Sequence, residues 1–171
     1  TIKNFKIGYA PQTGLKEYLL YHGFNEEIMI KAGLLRVDRN NNLSEIFRNR
    51  LIFPIFDKKH YPVAFGARAM FASKAKYLNS PNSLLFQKSE SLFGISHLNK
   101  DKFNSKPLLI VEGYMDVISI FQSKLANALA PLGTSISENQ IQEIWKLSSK
   151  PLVCLDGDKA GEIAAWRLVN R

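Results

Sequence analysis

Two short apolar runs in this chain each end in an acid and a glycine. Pro107-Leu-Leu-Ile-Val leads into Glu112-Gly113, and Pro151-Leu-Val-Cys-Leu leads into Asp156-Gly157-Asp158. Such a run reads as a buried strand that turns sharply and leaves a carboxylate at its carboxyl end. Hard divalent cations take oxygen ligands, and magnesium commonly uses one or two carboxylates together with waters and substrate phosphates. Glu112, Asp156 and Asp158 therefore read as a candidate metal site for assisted phosphoryl transfer. Glu112 could complete the metal shell, or deprotonate a ribose hydroxyl if it stays free of metal. Asp116, one helical turn behind Glu112, could act as an outer-sphere ligand or a salt-bridge partner. A strand-end acid standing alone would more simply cap the next helix. Its recurrence as Glu-Gly-x-x-Asp and Asp-Gly-Asp on successive strands favours a site.

The elements that must hold these acids alternate. Strand 108–112 precedes helix 114–123, strand 127–132 precedes a helix capped by Ser137, and strand 152–156 precedes a helix from Lys159. Gln140, three residues after Ser137, makes a capping box, with Ile141, Ile144 and Trp145 as the expected inner face. Alternation of this kind argues for a parallel sheet. Right-handed crossovers would bring all the strand ends to one edge, where ligands of such sheets bind.

The preceding residues read differently. An extended lead-in over 1–10 comes before a helix over 12–22, in which Leu15, Tyr18 and Leu19 share a face. A second helix is capped by Asn25 and ends near Gly33, and a polar turn covers 36–42. Runs 51–56 and 63–71 form a hairpin, with Pro54 suggesting a sheet edge or a bulge. Residues 77–81 read as a turn, 91–102 as a short helix and 101–106 as a polar linker. The domain boundary is expected near residue 105, giving an α+β subdomain over 1–105 and a parallel-sheet α/β subdomain over 106–171.

Charge follows the same division. Residues 1–104 hold sixteen Lys and Arg against eight Asp and Glu, and residues 105–171 hold seven against seven, so the first part carries the whole net +8. From Glu45 to Lys88 there are eight basic residues and two acidic ones, with Tyr77 and Asn79 beside Lys76. Guanidinium and ammonium groups interleaved with an aromatic suit phosphates and single-stranded bases. A solvated basic surface without a partner is the plainer alternative. Arg68 differs, because a charge within an otherwise apolar strand needs a partner.

Several classes drop out. The single Cys154 excludes an internal disulfide and is expected as a small buried side chain. His22, His60 and His97 are isolated, no Gly-x-x-x-x-Gly-Lys-Ser/Thr loop is present, and no apolar run approaches the ~20 residues of a membrane span.

Seven motifs in order resemble the DnaG-type bacterial primases. They are Gly8-Tyr-Ala-Pro11, Arg48-Asn-Arg-Leu-Ile-Phe-Pro-Ile55, Ala64-Phe-Gly-Ala-Arg68, Lys76-Tyr-Leu-Asn-Ser-Pro81, Glu112-Gly-Tyr-Met-Asp116, Leu132-Gly-Thr134 and Asp156-Gly-Asp-Lys-Ala-Gly161. The two acidic motifs are similar to those of the family's Toprim domain, and Ala67 stands where the family usually has a second glycine. The resemblance implies Mg2+ or Mn2+ at Glu112, Asp156 and Asp158. It also implies template or nucleotide contacts from Arg48, Arg50, Arg68, Lys76, Tyr77, Asn79 and Lys88. It implies synthesis of short RNA primers from NTPs on single-stranded DNA, in the cytoplasm at a replication fork. In the family a zinc-binding module precedes this core, a helicase-binding module follows it, and the catalytic domain continues past the second acidic motif. The implied activity is therefore that of a parent protein. The alternatives are a non-catalytic single-strand-binding module and another Toprim phosphotransferase, such as a nuclease.

Overall fold

The computed structural model describes residues 1–98, 106–133 and 136–169. They fall into two compact units. The first holds Ile2–Ile55 and Pro62–Phe86, and the second holds Thr1, Phe56–Tyr61 and the chain from Gln87 onward.

In the first unit a helical turn, α1 (Ile2–Phe5), precedes strand β1 (Gly8–Ala10). Residues 1–10 are thus not simply extended, because the coil carries Phe5 into the core. Helices α2 (Leu15–Tyr21) and α3 (Glu26–Lys31) follow. Leu15 and Leu19 of α2 are half-buried, but Tyr18 is exposed and does not join their face. As expected, Asn25 caps α3, its side chain accepting the Ile28 N–H at 2.9 Å. The expected polar turn over 36–42 is shorter. Strands β2 (Leu35–Val37) and β3 (Leu43–Glu45) pair antiparallel and leave only 38–42 to turn. Asp38 accepts the N–H groups of Asn42 and Asn40 there, which hold its carboxyl below the usual range.

The main sheet of this unit has the order β1-β4-β5-β6, with β4 at Arg50–Phe56, β5 at Pro62–Ala69 and β6 at Tyr77–Asn79. Residues 77–79 are a strand rather than part of a turn, pairing antiparallel with β5. Pro54 lies in an interior strand, past the register Gly8↔Ile52, Tyr9↔Leu51 and Ala10↔Arg50, so its missing N–H costs no bond to β1. Phe5, Met29, Leu35, Phe47, Phe53, Ile55 and Phe86 are buried in this unit.

The second unit comprises β7 (Leu92–Phe93), a 3-10 turn (Ile95–His97), β8 (Leu108–Ile110), α4 (Tyr114–Ser123), β9 (Asn127–Pro131), α5 (Glu138–Leu147), β10 (Leu152–Val153) and α6 (Lys159–Val169). Its sheet order is β10-β8-β9-β7. β8 runs parallel to β9 and β10, while β7 is an antiparallel edge that the sequence pattern did not indicate. A helix over 91–102 does not form across its described part. Gly94 is left-handed (φ 95°), and a Cβ there would stand 2.6 Å from the Ala128 carbonyl oxygen. The chain therefore turns close against β9. Residues 99–105 and Thr134 lie outside the described residues.

Ser137 and Gln140 make the expected capping box of α5. The inner face differs, since Trp145 is 71 % exposed while Gln140 is 1 % exposed. Gln140 can be buried because its Nε2 donates to the carbonyls of Lys88 (2.9 Å) and Ser91 (2.7 Å). Leu92, Leu108, Ile110, Leu129 and Ile144 form the core. Cys154 is exposed, contrary to expectation, as are Leu152 and Val153 of the edge strand β10. Among the described residues no helix is long and apolar enough to cross a membrane.

Candidate functional site

The acidic region is built by adjacent parallel strands. Since β8 and β10 pair in parallel, their carboxyl ends share an edge. Glu112 follows the first and Asp156 the second. The backbone N–H of Asp156 donates to Glu112 Oε1 at 2.9 Å, joining residues forty-four apart in sequence. Helix α6 begins immediately beyond, and the Gly161 N–H donates to Asp158 Oδ1 at 2.8 Å. Asp158 thereby serves as the helix cap that a strand-end acid would ordinarily be. Asp116 is likewise used locally, its Oδ2 accepting the Gly113 N–H at 3.0 Å in the turn into α4. Each bond engages one oxygen of its carboxylate. Tyr114 anchors the start of α4 by packing edge-on to Phe93 (4.7 Å between centroids), and burial holds its phenol protonated well above the usual range.

Gly161 lets α6 approach this edge. A Cβ there would overlap the Asp156 carbonyl oxygen and stand 2.9 Å from Glu112 Oε1. Asp156 and Asp158 line an open cleft of about 460 Å³, together with Glu162, Val153, Leu155 and Ala165. Glu162 escaped the sequence analysis, although its position four residues after Asp158 could have placed it on the same helix face.

The donors have the chemistry of a hard-cation site. Among the described residues, however, no three or more Asp, Glu, His or Cys side chains gather into a ready metal cage. An ion held by one or two carboxylates, with waters and phosphate completing its shell, needs no such cage. The residues fit that mode of binding.

The basic candidates of the first unit divide into two groups. Arg68 lies directly opposite Tyr77 and Gly66 opposite Asn79, so the pleat puts Arg68, Tyr77 and Asn79 on one sheet face. Lys76 Nζ is 6.0 Å from the Tyr77 ring centroid. Arg48 is exposed. Arg50 turns inward and is 9 % exposed. Between them Asn49 is left-handed (φ 52°), and it links Tyr9, whose hydroxyl donates to Asn49 Oδ1 at 3.0 Å, with Gln12, whose Oε1 accepts from Asn49 Nδ2. This trio also went unnoticed in the sequence, where nothing in the spacing of Tyr9, Gln12 and Asn49 joins them. Lys88 belongs to the second unit, where it is half-buried and its carbonyl accepts from Gln140.

Residues 1–99 match the family model of the DNA primase catalytic core, N-terminal domain, and residues 106–171 match that of the Toprim domain. The chain belongs to the DnaG-type primase family. A DNA primase of Haemophilus influenzae is 40 % identical over 172 residues, covering 99 % of this chain and 29 % of the relative. One of Rickettsia felis is 38 % identical, with the same coverage. Among solved structures, a DnaG primase catalytic domain bound to single-stranded DNA aligns with TM-score 0.84 and 38 % identity, over 98 % of this chain and 53 % of that one. The RNA polymerase domain of Mycobacterium tuberculosis DnaG aligns with TM-score 0.88 and 31 % identity, over 99 % and 59 %. The chain thus spans less than a third of the length of its primase relatives. Its mixed α/β architecture is that of the DnaG catalytic core, and the primase and Toprim families are generally dependent on divalent metal.

Proposed function

We propose that this chain is the first part of a primase polymerase core, whose parent protein makes short RNA primers on single-stranded DNA. In this reading residues 1–105 contact template and incoming NTPs through Arg48, Arg68, Lys76, Tyr77, Asn79 and Lys88. Residues 106–171 begin the Toprim domain. Glu112, Asp156 and Asp158 would hold Mg2+ or Mn2+, with Asp116 fixing the turn that follows Glu112. When bound, the cation would supply charge neutralisation for the phosphate oxygens. The chain's own residues orient what binds. Asp156 and Glu112 are tied by a hydrogen bond, Asp158 is fixed by its cap on α6, and Arg68 and Tyr77 offer a cation and an aromatic face side by side. The observation that carries the reading is the bond between the two acidic strand ends. The solved DnaG domain bound to single-stranded DNA supports the template assignment. Contacts with a zinc-binding module and the replicative helicase belong to the parent protein.

The test is a Mn2+ titration followed by NMR line broadening. Broadening should centre on residues around Asp156, Asp158 and Glu112 and disappear in an Asp156→Ala, Asp158→Ala variant. Equal broadening in both proteins refutes the site.

The net +8 carried by residues 1–104 motivates a second reading, a single-strand-binding module that needs no metal. Binding to an oligonucleotide that is unchanged by EDTA, with no Mn2+ broadening at the three acids, would select it.

A further inference from the structure

Arg48 and Arg50 are two residues apart, a spacing that puts side chains on the same face of a regular strand. The structure separates them. Asn49 is left-handed and pinned on both sides, its N–H donating to the Pro11 carbonyl (3.3 Å) and its own carbonyl accepting the Met70 N–H (3.1 Å). The chain breaks register there, so Arg48 faces solvent while Arg50 enters the fold at the start of β4.

A guanidinium taken out of water must find partners. Arg50 finds them in one short segment. Its Nη1 donates to the carbonyls of Ala75 (3.0 Å) and Lys76 (3.4 Å), and its Nη2 donates to Ser73 Oγ (3.2 Å). Two of its three guanidinium nitrogens are thus engaged by the segment 73–76. That segment carries Lys74 and Lys76 and leads directly into β6 with Tyr77 and Asn79. Strand β6 is three residues long and lies at the sheet edge, and its pairing with β5 reaches one residue further, to Lys76, whose carbonyl accepts the Ala69 N–H at 2.8 Å. The planar fork of Arg50 adds to that bond by reaching back to Ala75 and Ser73, and a lysine cannot reproduce it.

We propose that Arg50 is a positioning residue: it clamps segment 73–76 so that Lys76 and Tyr77 meet a single-stranded nucleic-acid backbone in a fixed geometry, without touching the nucleic acid itself. This rests on the reading that Arg48, Lys76 and Tyr77 contact nucleic acid.

Two measurements on the same variants test it. In limited trypsin digestion read by mass spectrometry, Arg50→Lys and Arg50→Gln should both speed cleavage after Lys74 and Lys76 about tenfold or more, the effect of losing a charge-assisted hydrogen bond on local opening. Cleavage after Lys124, in the other unit, should not change, which separates local release from unfolding. In fluorescence anisotropy with labelled oligo(dT), Arg50→Lys should lose as much affinity as Arg50→Gln although it keeps the charge. Adding Lys76→Ala to either should cost little more, because the clamp and Lys76 act as one unit. Wild-type affinity in Arg50→Lys, losses that multiply with Lys76→Ala, or unchanged cleavage after Lys74 and Lys76 would each overturn the proposal. If Arg48→Ala and Lys76→Ala bind oligo(dT) like the wild type, the nucleic-acid reading fails and the positioning role falls with it. The protease result then still shows whether the clamp itself exists.

Discussion

At the scale of single residues, the acidic edge depends as much on an absent side chain as on those present. Glu112, Asp156 and Asp158 were legible because acid-glycine endings are conspicuous after apolar runs. The constraint at Gly161 was not, since it arises only when α6 folds back over the turn. A Cβ at 161 has no room between the Asp156 carbonyl and Glu112 Oε1. Gly161→Ala should therefore move the start of α6 and lengthen the bond from the Asp156 N–H to Glu112. Overpacking of this kind costs about 1–3 kcal/mol. Urea unfolding should show that loss, and the Asp156 amide should exchange faster with solvent. A variant as stable as the wild type with an unchanged Asp156 amide would remove Gly161 from the account. Gly157, whose Cβ position is open, is the control, and Gly157→Ala should leave both readouts nearly unaltered.

At the scale of elements, what could be read in advance was whatever carries its own local signal. The Ser137–Gln140 capping box and the Asn25 cap formed where the sequence placed them, because a side chain bonding to a nearby N–H needs no distant partner. Strands β6 and β7 were not readable. Three and two residues are too few to show an alternation, and each strand exists only through its partner, β5 or β9. The inner face of α5 misled for a related reason. Gln140 looks polar in sequence, yet two carbonyls at Lys88 and Ser91 make it a core residue, and Trp145 is displaced outward.

The same helix carries a pH-dependent contact. Glu143 bonds to Lys146 and to Lys58, and these cations, Lys146 first, hold its carboxyl below the usual range. A carboxyl lowered in the folded state adds stability above its unfolded value and loses it as pH falls through the folded value. Both lysines are exposed, so the contribution is under about 1 kcal/mol. Glu143→Gln should lower stability by about that much at neutral pH, and the difference should close as pH falls through the lowered folded value, where the wild-type carboxyl also becomes neutral. Urea unfolding of both proteins at neutral and at low pH measures this. A difference that persists at low pH would mean that packing, not charge, is the source.

For the whole molecule, the partition of charge bears on whether the basic part meets a polyanion or is a solvated surface. The entire net +8 belongs to residues 1–104, and within the first unit the register aligns Arg68 with Tyr77 while Arg50 is withdrawn from solvent. A count of basic residues in the sequence includes Arg50 among the phosphate contacts, whereas in the fold its guanidinium is largely buried and bonded to the segment 73–76. Salt dependence can tell the two apart, because each phosphate neutralised on a single strand contributes about 0.7 to the slope of log K against log salt. Arg48, Arg68 and Lys76 together then give a slope of about −2, which each alanine substitution should reduce by roughly 0.7. Arg50→Gln acts on that slope only through Lys76, so in a Lys76→Ala background it should leave the slope where it was. Anisotropy titrations with labelled oligo(dT) across a salt series decide this. A slope near zero would leave the positive charge without a polyanion to meet, and a slope that falls again on removing Arg50 from the Lys76→Ala protein would return that arginine to the list of direct contacts.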